Sequence, residues 1–101
     1  KENKKEDELS ILPDGVYTIS IASLDKDEDI DSFVKQMKLN KKNVYTYNLN
    51  NHTKILYGNY KTLKEASNSI KNFSLKLIES GIYVETLEKH KNIIKKYKTI
   101  N

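Results

Sequence analysis

The stretch that decides the fold is VYTYNLNNHTKILY, residues 44–57. Two runs of β-branched and aromatic residues, 44–49 and 52–57, flank Asn50 and Asn51. Asn tolerates the positive φ that tight turns require, so the pattern predicts a hairpin with a two-residue type I′ turn. In that register Leu49 pairs with His52, Tyr47 with Lys54 and Tyr45 with Leu56. Directly opposite residues share a face, so Tyr45, Tyr47, Lys54 and Leu56 stand together while Ile55 and Tyr57 point the other way. A loop one residue longer would turn the tyrosines inward.

Working outward, residues 16–22 (VYTISIA) alternate, with Tyr17, Ile19 and Ile21 on one face and Thr18 and Ser20 on the other, the mark of a half-buried strand. A helix is predicted over 26–38. Asp25 serves as its N-cap, Glu28 completes a capping box, and Asp27 and Asp29 suit the positive end of its dipole. Ile30, Phe33, Val34 and Met37 form its apolar stripe, and residues 40–43 (NKKN) end it.

Beyond the hairpin, Thr62 and Glu65 make a second capping box, for a helix striped by Leu63, Ala66, Ile70 and Phe73, with Leu77 as its extension. Gly81 stops the helical chain, and 82–87 (IYVETL) reads as a fourth strand. The resulting order, strand–helix–strand–strand–helix–strand, suits an α+β, ferredoxin-like βαββαβ sandwich. Its four-stranded antiparallel sheet carries two helices on one face, plus a C-terminal helix. The other sheet face is expected to be open, and function is sought there.

Residues 1–12 (KENKKEDELSIL) read as a charged linker, and the turn Pro13-Asp14-Gly15 opens a domain over 13–87. Residues 88–101 carry Ile93, Ile94, Tyr97 and Ile100 at helical spacing among lysines. Isolated helices below roughly 12–15 residues are marginal in water, so this amphipathic segment is expected to dock on the domain, at an edge or rim of the sheet.

The 101 residues make about one domain, and no apolar run approaches the roughly 18 residues of a membrane span. Cysteine is absent, which excludes disulfides, Cys-zinc sites and thiol catalysis. The chain starts at Lys1 rather than Met, the mark expected of a fragment with an anchor or targeting sequence upstream. Charge is uneven: residues 1–31 hold ten acids and four lysines, whereas 32–101 hold fourteen lysines and four acids. A basic domain invites a polyanion, but Lys, Asn and Ile dominate the whole composition, and an AT-rich coding sequence produces the same excess. All basic residues are Lys, and the bidentate fork that Arg offers to bases and phosphates is missing.

Catalytic patterns are missing as well. Asp25, Asp27 and Asp29 are spaced like the start of a calcium loop, but the sixth and twelfth positions, Gly and Glu in that loop, are Ile30 and Gln36. His52 and His90 lack ligand partners at metal spacing, and no nucleophile elbow, HExxH or P-loop pattern exists. The expectation is a non-enzymatic binding module without metal or cofactor.

Two segments together resemble the SPOR domain, the sporulation-related repeat of bacterial envelope and division proteins. The family's first strand runs aromatic-x-x-Gln-x-Gly/Ala-Ser-aromatic, and here it is Tyr17-Thr18-Ile19-Ser20-Ile21-Ala22-Ser23-Leu24. Its third strand, Arg-Val-x-x-Gly-x-Phe followed by a helical Glu-Ala, is matched by Lys54-Ile55-Leu56-Tyr57-Gly58-Asn59-Tyr60 and Glu65-Ala66. Gly81-Ile82-Tyr83-Val84 fits the last strand. The chain departs from the family at Ser20 for Gln, Lys54 for Arg and Leu24 for an aromatic.

The resemblance implies binding of septal peptidoglycan glycan strands, stripped of stem peptides, on the open sheet face. It also implies a module that localises an envelope or cell-division protein on the periplasmic side. Membrane contact would come only through an upstream anchor, and division proteins would be further partners. The residues expected to form the glycan site are Ser20, Ser23, Tyr45, Tyr47, Lys54, Leu56, Asn59 and Glu85, with tyrosines stacking on sugars and the polar groups bonding hydroxyls. Two alternatives use the same face: an RNA-recognition-motif-like nucleic-acid module and a protein-interaction module. The third-strand signature [KR]-G-[FY]-[GA]-[FY]-[VIL]-x-[FY] of the first is not met by Lys54–Gly58, so no nucleic acid is expected.

Overall fold

The computed structural model describes residues 12–100, with side chains through Tyr97. Four strands, β1 (Tyr17–Asp25), β2 (Val44–Leu49), β3 (His52–Tyr60) and β4 (Tyr83–Thr86), form one antiparallel sheet in the order β2-β3-β1-β4. The helices are α1 (Ile30–Gln36), α2 (Leu63–Ile70), α3 (Leu75–Glu79) and α4 (Leu87–Ile100). This is the α+β ferredoxin-like arrangement expected from the element order, with a C-terminal helix added.

The main core lies between the sheet and the helices α1 to α3. Ile19, Ile21, Leu24 and Ile55 from the sheet meet Val34 and Leu77, with Phe33, Ile70 and Phe73 packed around them. Tyr57 and Phe73 meet edge to face, ring centroids 5.1 Å apart. Ile55 and Tyr57 thus point where the hairpin register sends them. The register itself is the expected one, Leu49 opposite His52, Tyr47 opposite Lys54 and Tyr45 opposite Leu56. Of the two turn residues only Asn50 adopts positive φ, 56°, so the turn keeps its two residues but is not type I′, which needs both.

Two irregularities shape β1. Opposite Tyr17 and Ile19, β3 carries one residue too many, and Gly58 takes φ 86° there. The hydroxyl of buried Thr18 donates to the carbonyls of Gly58 (2.9 Å) and Tyr57 (3.0 Å) and so closes that bulge. Further on, Ser20 pairs with Leu56 and Ala22 with Ile55, leaving Ile21 as the extra residue on β1. From that point the strand's alternation is reversed.

Several boundaries differ from the sequence reading. β1 keeps pairing as far as Asp25, opposite His52, so the chain has to turn at 26–28 and α1 starts at Ile30 rather than 26. Glu28 does reach back to the Asp25 amide (2.8 Å), but the N-cap of α1 is Asp29, which accepts from the Asp31 amide (3.1 Å) and the Ser32 hydroxyl (2.9 Å). Those bonds hold the Asp29 carboxyl below its ordinary value. Thr62 caps α2 as expected, accepting from the Glu65 amide (3.1 Å), but Leu63 is 54% exposed and outside the core stripe. It occupies the first turn, before the helix face has come round to the sheet. Ser74 caps the separate short helix α3, and Gly81 stops the chain at φ 94°.

The predicted linker 1–12 lies outside the described residues except for Leu12, which is buried against the second sheet face.

Candidate functional site

Strand register decides which side chains share the face opposite α1 to α3. Tyr45 and Tyr47 of β2 stand across from Leu56 and Lys54 of β3. Leu56 and Lys54 stand across from Ser20 and Ser23 of β1, and Ser20 and Thr18 across from Tyr83 and Glu85 of β4. Seven of the eight residues expected from the sequence therefore lie on one face. In an unbroken strand Ser20 and Ser23 would point to opposite sides; the extra residue Ile21 brings them together. Asn59 stands apart: its side chain lies over Gly15 and lines a shallow pocket with Glu65, Asn68 and Asn72 of the α2 side.

The face is not open. Helix α4 follows β4 directly, its base held by the Leu87 amide on the Val16 carbonyl (2.9 Å), and crosses the sheet to β2. Its Ile94 is buried with Tyr47, Leu56 and Leu12, and Ile93, Tyr45 and Leu49 pack around them. The helix thus covers the face rather than an edge or rim; the apolar surface that Tyr47 and Leu56 offer lies in the sheet's middle, and its stripe follows that surface. Ile100, another expected anchor, lies outside the described side chains.

A polar chain is buried beneath this helix. The Tyr47 hydroxyl lies 2.7 Å from His90 Nδ1, and His90 Nε2 lies 2.7 Å from Glu85 Oε1. The other Glu85 oxygen accepts from the Lys89 ammonium. A carboxylate only accepts, so Nε2 carries the proton; neutral His90 then accepts at Nδ1 from the Tyr47 hydroxyl. Tyr47 is 4% exposed and His90 1%. Burial pushes the Tyr47 phenol up to about 12, assisted by the Glu85 charge. Burial likewise pulls His90 below its ordinary value, outweighing the opposing pull of Glu85. Burial alone would raise the Glu85 carboxyl, but the Lys89 hydrogen bond and the His90 contact together hold it below its ordinary value.

Sequence reasoning missed two members of this surface. Tyr83, 51% exposed, shares its face with Glu85 by simple alternation, so the same period-2 reading that selected Glu85 could have found it. His90 was missed because one partner, Tyr47, lies 43 residues away and the other, Glu85, five residues before it, stands on β4 rather than on its own helix. Of the expected residues, Ser23, Lys54 and Tyr45 remain at least partly accessible beside α4, whereas Ser20, Tyr47, Leu56 and Glu85 are buried. His52, the other histidine, pairs with Asp25 at the exposed end of the hairpin (3.1 Å). Among the described residues, no three His, Asp or Glu side chains gather as metal ligands, and no helix is long and apolar enough to cross a membrane.

The sheet thus carries helices on both faces, and the aromatic and hydroxyl-bearing side chains gather on the face beneath α4. The SPOR domain family model matches residues 13–85, and the chain belongs to that family, whose members are peptidoglycan-binding modules. No curated protein and no solved structure matches the chain.

Proposed function

We propose that this domain binds peptidoglycan through the glycan strands denuded of stem peptides that mark the septum, and so localises an envelope or division protein on the periplasmic side. One observation carries the reading: the register and the Ile21 bulge gather Ser20, Ser23, Tyr45, Tyr47, Lys54, Leu56 and Glu85 on a single sheet face. Tyrosine presents an apolar ring to sugar C–H faces and a polar tip to hydroxyls. Ser23 and Lys54, side by side on adjacent strands, supply hydrogen bonds at the accessible end of the face. The ligand is neutral and heavily hydroxylated, so affinity accumulates over contacts worth about 0.5–1.5 kcal/mol each.

The test compares retention on amidase-treated and untreated sacculi. Preferential retention on treated sacculi is expected, little changed by salt; nucleic-acid binding would instead fall steeply as salt rises. Lys54→Ala and Tyr45→Ala should each weaken retention about two- to tenfold. Equal retention on both sacculi, or none on either, overturns the reading.

A further inference from the structure

The residues best suited to stack on or bond a glycan are those α4 hides. Leu56 is 0% exposed, and Ser20 and Glu85 are nearly as enclosed, so a ligand reaching Tyr47 meets the helix first. The attachment of α4 differs in kind from that of α1 to α3. Its apolar part is small, centred on Ile94, Leu12, Tyr47 and Leu56. Beside it runs the polar chain Tyr47–His90–Glu85–Lys89, each of whose members recovers water partners if the helix leaves. Exchanging such bonds for water changes free energy little, whereas separating a purely apolar interface does not have that compensation. The sugar hydroxyls of a bound strand could also take the place of His90 against the Tyr47 hydroxyl and the Glu85 carboxylate.

We propose that α4 is a removable cover on the glycan face: docked, it withholds Tyr47, Leu56, Ser20 and Glu85, and lifted, it completes the site, so that helix docking and glycan binding exclude one another. This rests on the reading that the glycan binds this face. A site that is competent only when uncovered shows an affinity reduced by its uncovered fraction, so loosening the cover strengthens binding. The released helix need not persist, because an isolated 14-residue helix is marginal in water.

The experiment uses soluble denuded glycan strands as the probe and two proteins, the native chain and Ile94→Asp, which places a charge in the apolar contact of α4. Ile94→Asp should bind about tenfold or more tightly than the native chain. In the native chain, saturating glycan should accelerate amide hydrogen exchange across 88–97 while β1 and β3 stay protected. Glycan that binds the native chain but slows exchange in α4, or that binds a folded Ile94→Asp no better, overturns the cover and leaves the glycan reading standing. Binding by neither protein overturns the glycan reading and the cover with it. If Ile94→Asp fails to fold, the exchange measurement on the native chain decides alone.

Discussion

The two faces of this sheet are closed by different physics. Toward α1, α2 and α3 the contact is apolar, with Ile19 and Ile55 fully enclosed and Leu77 and Val34 against them. Toward α4 it mixes a small apolar cluster around Ile94 and Ile93 with a hydrogen-bonded chain of tyrosine, histidine, glutamate and lysine. An apolar interface holds because water has no use for it, and nothing outside the protein replaces it. A polar one is matched to its partner yet exchangeable for water or ligand. The first face builds the fold, and the second is where the fold has something to exchange.

The contrast is broken most severely from the apolar side. Ile55→Ala removes a fully enclosed side chain at the centre of the main core and should cost about 2–5 kcal/mol, read as a lower melting temperature for the whole domain. Exchange should rise in β1, β3 and α2 together. A melt unchanged by this substitution would mean that the α1–α3 face is not the dominant core.

Tyr47→Phe tests the other face with a smaller effect. It keeps the ring but leaves His90 Nδ1 buried without its donor, a loss of about 1–3 kcal/mol. Because the loss falls on α4 docking, exchange should rise across 88–97 and hardly at all in β1. Uniform loss over the sheet would show that the two faces are one cooperative unit.

Acid should act on the α4 face, more gently than removal of a partner. His90 is held below its ordinary value, so its contribution to docking is complete above about pH 6.5 and is lost as pH falls through its lower folded value. Glu85, also held low, adds a loss in the same direction at more acidic pH. Tyr47 from β2, Lys54 from β3, Glu85 from β4 and Lys89 from α4 face the imidazole, and of these Glu85 softens its protonation. Histidine NMR titration should place His90 below its ordinary value, with α4 amides exchanging faster as pH drops. At the alkaline end Tyr47 should ionise near pH 12 in a spectrophotometric titration.

The smallest effect is local and concerns neither interface. Thr62→Ala removes the cap of α2 and should cost about 1 kcal/mol, with sacculus retention unchanged. Lost retention in a folded Thr62→Ala protein would move the binding surface to the helix side, where Asn59 already stands.

Where the sequence reading succeeded, the signal was short-range. Pairing in the hairpin followed from a two-residue Asn50-Asn51 loop between alternating runs, and the Thr62 cap followed from a residue three positions on. It faltered where a distant partner intervened. The start of α1 moved because Asp25 still pairs with His52 across the sheet, and Leu63 fell outside the core because α2 meets the sheet only later in its turn.

By itself the sequence determined the order of elements, the hairpin register, the inward direction of Ile55 and Tyr57, and the family to which the chain belongs, because periodicity, capping and turn chemistry act within a few residues. Only the tertiary structure decided which serines share a face, where α4 lies and why His90 is buried. The bulge at Ile21 sets the phase of half a strand through pairing with β3, and the helix position is set by side chains such as Tyr47 and His90, 43 residues apart, that meet only once the sheet exists. Such contacts depend on the folded surface as a whole, and no local pattern encodes them.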